Sequence, residues 1–172
     1  FELVSLTVPL VTCRHLFSQP ESINVAVLGG FKAGKSSFIN TLAEQALLPV
    51  SAIPATAVLT SATGGKQLCA TVTFLGGKTR LVSPNNLAEW VTEEGNPHNA
   101  KEVRSVRIEA PGLLRWPGLV FLDTPGLGSV FTHNTKTSLA FLSRVEAAVL
   151  AISCTQPLSD VDAELLRRLR EI

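Results

Sequence analysis

The stretch GGFKAGKSSF, residues 29–38, decides the fold. Gly29, Gly34, Lys35 and Ser36 satisfy G-x-x-x-x-G-K-[ST], which cradles phosphates where a strand leads in and a helix leads out. Both flanks fit. INVAVLGG (23–30) is apolar at nearly every position, with Val25, Val27 and Leu28 suited to a strand covered on both faces. KSSFINTLAEQAL (35–47) repeats Phe38, Ile39, Leu42 and Ala46 at helical spacing. Leu48-Pro49 predicts its end, because the residue before proline avoids helical backbone. Glycines let the loop backbone wrap phosphate oxygens with inward N–H groups, and the helix N-terminus adds partial positive charge. The candidate cofactor-binding loop therefore runs through Gly29, Gly30, Phe31, Lys32, Ala33, Gly34, Lys35, Ser36 and Ser37. Lys35 is placed to reach the terminal phosphates and Ser36 to coordinate magnesium. Lys32 is a second positive charge that this job does not require.

A second motif, LDTPGLGS (122–129), closes the buried stretch GLVFLDTPGLGS (118–129). Asp123 at a strand end is placed to hold magnesium through a water, opposite Ser36. Gly126 would present its N–H to the terminal phosphate, and losing that contact would make the following loop a switch. Between the two motifs lies PVSAIPATAVLTSAT (49–63), a loop leading into a short extended segment. Thr56 is the candidate to close over magnesium and the terminal phosphate, and Thr60 competes with it.

The remaining chain alternates strand and helix signals. QLCATVTFLGGKTRLV (67–82) reads as a hairpin turning at Gly76-Gly77, and NLAEWVTEEG (86–95) as a short helix closed by Gly95. EVRSVRIEAP (102–111) alternates as a half-exposed strand. TSLAFLSRV (137–145) is helical, EAAVLAIS (146–153) a third buried strand, and SDVDAELLRRLREI (159–172) a helix capped by Ser159 or Asp160. The expected fold class is α/β: a three-layer P-loop NTPase fold, with a mostly parallel central sheet and an antiparallel edge hairpin, truncated on its C-terminal side.

At 172 residues the chain fits one domain with a sizeable core. Fifteen Lys and Arg against 14 Asp and Glu give a net charge of +1, which argues against nucleic acid and against a polybasic membrane patch. The three cysteines, Cys13, Cys69 and Cys154, are scattered, which suits small buried residues in a reducing cytoplasm rather than a zinc site. No apolar run reaches the roughly 18 residues of a spanning helix. The chain begins without Met and stops inside a helical pattern, so it reads as a piece of a longer protein. His15, His98 and His133 read as surface residues, Trp90 and Trp116 as packing groups, and RRLRE (167–171) as a solvated helix face.

GGFKAGKSSFINTL, LLPVSAIPATAVLT and DTPGLGSVFTHNT, in this order and spacing and with the double serine Ser36-Ser37, resemble bacterial members of the dynamin family of large GTPases. The similarity runs from about residue 20 to the end of the chain. It implies that residues 1–172 form the N-terminal part of a GTPase domain. Such a domain would bind GTP or GDP with Mg2+, hydrolyse GTP, and form a homodimer across its nucleotide face. The whole protein would be cytoplasmic and peripheral at a membrane, which it would remodel through regions outside this chain. The N/T-K-x-D motif by which the family reads guanine does not occur before Ile172, so guanine preference rests on the resemblance. Two other readings compete: a nucleotide-binding assembly module without efficient turnover, and another P-loop NTPase such as an ATPase.

Lys32 departs from dynamin itself, where the corresponding serine is implicated in organising a monovalent cation. A basic residue there resembles guanylate-binding proteins and atlastins, in which an arginine swings into the active site on dimerisation. The resemblance implies that Lys32 is a charge finger in cis, with Lys35 and Thr56 as the other catalytic candidates. The bland alternative is a solvated lysine that speeds nucleotide encounter.

Overall fold

The structure, a computed structural model, describes residues 22–30, 32–50, 58–123, 145–153 and 160–169. Among the described residues, seven strands form one sheet: β1 (Ile23–Leu28), β2 (Leu59–Gly64), β3 (Cys69–Phe74), β4 (Thr79–Val82), β5 (Val103–Ala110), β6 (Leu119–Asp123) and β7 (Ala147–Leu150). Their order across the sheet is β4-β3-β5-β2-β6-β1-β7. β1 runs parallel to β6 and β7, and β2 runs parallel to β5. The expected antiparallel hairpin forms the far edge, β4 on β3, with Gly77 at φ 80° donating its N–H to Phe74 O at 2.9 Å.

The core explains the strand choices. Val25 and Val27 on one face of β1 join Ile39, Val72, Val106, Ile108, Leu113 and Phe121 in one apolar cluster. Ala26 and Leu28 on its other face are also buried, so β1 is covered on both sides as its unbroken apolar run predicts. β5 alternates: Val106, Ile108 and Ala110 are buried, and Arg104 and Arg107 are exposed. Trp90 packs edge-on to Phe74 at 6.0 Å between ring centroids, with Arg80 and Lys101 lying over its ring, a packing role as expected.

Two helix expectations are corrected. Helix α1 spans Lys35–Leu42, not 35–47. Asn40 ends it: its Oδ1 accepts the N–H groups of Leu47 and Leu48 at 3.0 and 2.8 Å, while its Nδ2 donates to Leu48 O at 2.9 Å. Glu44 takes a left-handed φ of 53°, which turns the chain before the proline can. On α1 itself Ile39 is buried, but Phe38 is 36% exposed. The short extended segment expected before residue 64 is β2, which sits mid-sheet, antiparallel to β6. The helix expected over 86–95 shrinks to one turn, α2 (Ala88–Val91), with a 3-10 turn, Pro84–Asn86, ahead of it. EAAVLAIS forms a strand as expected, β7, paired to β1, with Ala147 and Ala148 exposed among the described residues.

The last element, helix α3, spans Asp160–Leu169. No helix among the described residues is long and apolar enough to cross a membrane. Phe31, Thr56, Gly126, His15, His133, Cys13, Cys154, Ser159 and the helix expected over 137–144 lie outside the described residues.

Asn40 supplies a stability prediction. Three hydrogen bonds at roughly 1 kcal/mol each hold the 43–48 turn, so Asn40→Ala should destabilise the fold by about 2–3 kcal/mol in chemical denaturation. A loss under about 0.5 kcal/mol, within the range of an inconsequential surface change, would mean that other contacts hold this turn.

Candidate functional site

The site forms where β1 and β6 end side by side. Their parallel register sets Val27 opposite Asp123, so the loop leaving β1 and the aspartate ending β6 meet at one edge of the sheet. The loop is built by backbone conformations that few residues accept. Gly29 has φ 142°, and a Cβ there would run into the Ala151 carbonyl oxygen just beyond β7. Gly34 has φ 94° and stands directly before α1, whose first turn is closed by Phe38 N donating to Gly34 O at 2.8 Å. Gly30 has no such constraint: the nearest atom to an added Cβ is Asp162 Oδ1, at an ordinary 3.8 Å.

These positions therefore separate in a prediction. Gly29→Ala meets both backbone strain and a steric block, and should cost about 2 kcal/mol or more. Gly30→Ala should fold as the parent does. Thermal melting of the two variants checks the contrast, and equal melting temperatures would contradict it.

Three side chains converge. Lys35 Nζ donates to Gly29 O at 3.1 Å and to Gly30 O at 2.8 Å. Ser36 Oγ donates to Asp123 Oδ2 at 2.8 Å. Asp123 is 2% exposed, and its Oδ1 is buried with no hydrogen-bond partner among the described residues. Burial holds the Asp123 carboxyl above its ordinary 3.8, against the opposing pull of the Ser36 hydrogen bond and the Lys35 charge. Burial likewise lowers the Lys35 ammonium from its ordinary 10.5, partly offset by attraction to Asp123. The two groups thus share a partly desolvated pocket in which each charge is costly without a further partner.

A buried carboxylate oxygen with no donor among the described residues, next to a serine hydroxyl, is a donor set that a hard cation taking oxygen ligands could use. An ammonium resting on two loop carbonyls is ready to exchange them for phosphate oxygens, which bind it more strongly.

The sequence-derived residues fall into place unequally. Gly29, Gly30, Gly34, Lys35, Ser36 and Asp123 come together as expected. Lys32 is exposed at the loop tip with φ 59°, and Ala33 closes the loop turn, its N–H donating to Gly30 O at 3.3 Å. Ser37 is exposed on α1, where its carbonyl accepts Thr41 Oγ1 at 2.9 Å. Thr60, the competitor of Thr56, lies within β2 opposite Asp123 and is 1% exposed, with its hydroxyl turned to Val58 O at 3.4 Å. Asp162 was not singled out from the sequence, yet it is 4% exposed against this loop. The only local hint is a second acidic residue in the first turn of α3, beside Asp160.

The chain was compared with known proteins. The model of the dynamin family matches residues 25–171. An uncharacterised protein in the xynA 3′ region of Caldicellulosiruptor sp. (strain Rt8B.4) is 34% identical over 147 residues, covering 86% of this chain and 37% of its own length. Dynamin-like protein 2 of Campylobacter jejuni is 30% identical over 134 residues, covering 78% of this chain and 21% of its own length. The chain thus spans well under half of these curated relatives. A solved chain from an oligomerised bacterial dynamin pair, described as providing a mechanism for long-range sensing and tethering of membranes, superposes with a TM-score of 0.66. That match covers 91% of this chain and 26% of the other at 24% identity, and it establishes the likeness of fold: a mixed α/β sheet of P-loop NTPase type.

Proposed function

The chain belongs to the dynamin family, and from that premise we propose that residues 1–172 are the N-terminal part of a GTPase domain that binds and hydrolyses GTP. The observation that carries this reading is the trio where β1 and β6 end: Lys35 on the loop carbonyls, Ser36 on Asp123, and a buried Asp123 oxygen with no donor among the described residues. Lys35 would bind the terminal phosphates. Ser36 and Asp123, the latter through a water, would hold Mg2+, with Thr56 completing the set. When bound, Mg2+ would neutralise charge on the phosphate oxygens. The loop glycines would bring backbone N–H groups to the nucleotide, and Gly126 would sense the terminal phosphate. Lys32 would steady charge that develops on the transferred group.

Two copies would meet across the nucleotide face, and membrane remodelling would depend on parts of the protein beyond these residues. The relatives' names and the tethering role of the structural neighbour support that reading. The protein would then work in the cytoplasm at a membrane surface.

Binding of labelled GTP and labelled ATP, each with Mg2+, tests the proposal. Strong preference for GTP with release of phosphate is expected. Equal affinity for the two, or binding of neither, would overturn it. Binding of GTP without turnover would leave an assembly module instead of an enzyme.

Acidification offers a second test. Between pH 3.8 and the raised Asp123 value, the folded protein keeps a proton that the unfolded chain has released. This group's contribution to stability is therefore fully present below pH 3.8 and is lost as pH rises through the folded value. Cation binding needs the ionised form and runs the other way. Mg2+-dependent nucleotide affinity should start to fall at a pH above the ordinary carboxylate range, while Asp123→Asn should flatten the stability slope. Nucleotide titrations and thermal melts across pH check both signs, and an Asp123→Asn protein with the parent's slope would contradict the assignment.

A further inference from the structure

One cross-strand pair holds an acceptor and a donor that do not yet serve each other. β2 runs antiparallel to β6 with Thr60 directly opposite Asp123, and both residues are buried, at 1% and 2% exposure. Side chains paired in this way lie on one face of the sheet with their Cβ atoms roughly 4.5–5.5 Å apart. Asp123 Oδ1 has no hydrogen-bond partner among the described residues. Thr60 Oγ1 donates to Val58 O at 3.4 Å, well beyond the roughly 2.5–3.0 Å of a good O–H···O bond. An oxygen in need of a donor thus faces a hydroxyl that is barely used.

The surroundings leave that hydroxyl few choices. On its other side Thr60 is paired with Val106 of β5, which is fully buried and offers only an apolar side chain. Valine at position 60 would fill the same space with no hydroxyl to desolvate, and burying a hydroxyl without a good hydrogen bond costs roughly 1–3 kcal/mol. A threonine hydroxyl moves between partners by turning about its Cα–Cβ bond from one staggered position to another. Ser36 Oγ holds the other carboxylate oxygen, Oδ2, at 2.8 Å. Each carboxylate oxygen has two lone pairs, so a donor on Oδ1 still leaves room for a cation or its water.

We propose that Thr60 is a positioning residue for Asp123: in the nucleotide-bound protein its hydroxyl turns from Val58 O to Asp123 Oδ1 and fixes the carboxylate from across the β2–β6 ladder. The proposal rests on the nucleotide-binding reading above, in which Ser36 serves the cation as well as Asp123 and its hold on the carboxylate is shared. Thr60 itself touches neither nucleotide nor cation.

The test is titration with N-methylanthraniloyl-GTP in Mg2+ and in EDTA, using the parent, Thr60→Val and Thr60→Ser. Thr60→Val should bind about tenfold more weakly in Mg2+, the lower worth of one hydrogen bond to a charged group, and within about twofold of the parent in EDTA. Thr60→Ser keeps the hydroxyl and should recover most of the Mg2+-dependent affinity. A merely structural role predicts equal losses in both media and a serine variant no better than the valine one. A folded Thr60→Val protein with equal losses, or with the parent's response to Mg2+, would overturn the proposal. If the valine variant does not fold, the parent decides. Three-bond couplings to the Thr60 methyl carbon report its side-chain rotamer, which should change when Mg2+ and nucleotide bind. A rotamer unchanged by a nucleotide that binds would overturn the proposal equally. Failure of the parent to bind nucleotide at all would instead overturn the functional reading on which it stands.

Discussion

Lys35→Met should lose nucleotide affinity by about two to four orders of magnitude while the nucleotide-free protein melts within a few degrees of the parent. Both halves follow from where the ammonium sits. It is partly buried, and its pKa is lowered by that burial, so its charge is a burden that the fold tolerates rather than a support. Its hydrogen bonds to Gly29 O and Gly30 O, at 3.1 and 2.8 Å, offset the burden without greatly exceeding it. Methionine fills much the same space with no charge to desolvate, a kind of exchange that is often nearly neutral. Binding is different. Two charge-assisted hydrogen bonds to phosphate oxygens are worth roughly 1.5–3 kcal/mol each, and their joint loss corresponds to about 10²- to 10⁴-fold in affinity. Fluorescence titration and thermal melting on the same preparation separate the outcomes. A variant that folds and binds like the parent would remove Lys35 from the phosphate site. A variant that unfolds would make Lys35 a brace for its own loop.

The features legible in the sequence were those set by neighbours along the chain. Gly34, Lys35 and Ser36 are adjacent, so their pattern already implies loop, cation and hydroxyl in one place. Asp123 was legible because a buried apolar run ends in it. The hairpin of β3 and β4 was legible from Gly76-Gly77. The misplaced features depend on partners distant in sequence or on a single side chain. Nothing in the composition of 35–47 says that Asn40 will reach forward to Leu47 and Leu48 and end the helix early. β2 was legible as a short extended segment, but its central place comes from its two partners, β5 and β6. Asp162 is the sharpest case: its burial near the loop brings together residues separated by most of the chain's length.

Lys32→Ala should leave nucleotide affinity within a few-fold of the parent and lower concentration-stimulated GTP turnover by about 10²- to 10³-fold, the usual cost of removing one stabiliser of transition-state charge. The backbone gives the reason to single out this lysine. Its φ of 59° lies in the left-handed region, where a non-glycine residue costs roughly 1–2 kcal/mol. Two loop positions with positive φ, 29 and 34, are occupied by glycine, which carries no such penalty. Lysine at 32 bears the strain in a loop whose Lys35 already faces the carbonyls of Gly29 and Gly30. Strain kept in place at a site points to use of the side chain. Lys32→Gly separates the two contributions. It should melt higher than Lys32→Ala, because glycine relieves the strain, and it should show the same loss of stimulated turnover. Lys32→Arg should retain most of that turnover, since it keeps a positive charge at the loop tip. The competing role, a solvated charge that speeds encounter with the anionic nucleotide, predicts another pattern. In that case the three variants would differ in association rate, the difference would fade at high salt, and the maximal rate would not change. Turnover measured against protein concentration at saturating GTP distinguishes the two, and a stimulated rate that survives Lys32→Ala would exclude the finger.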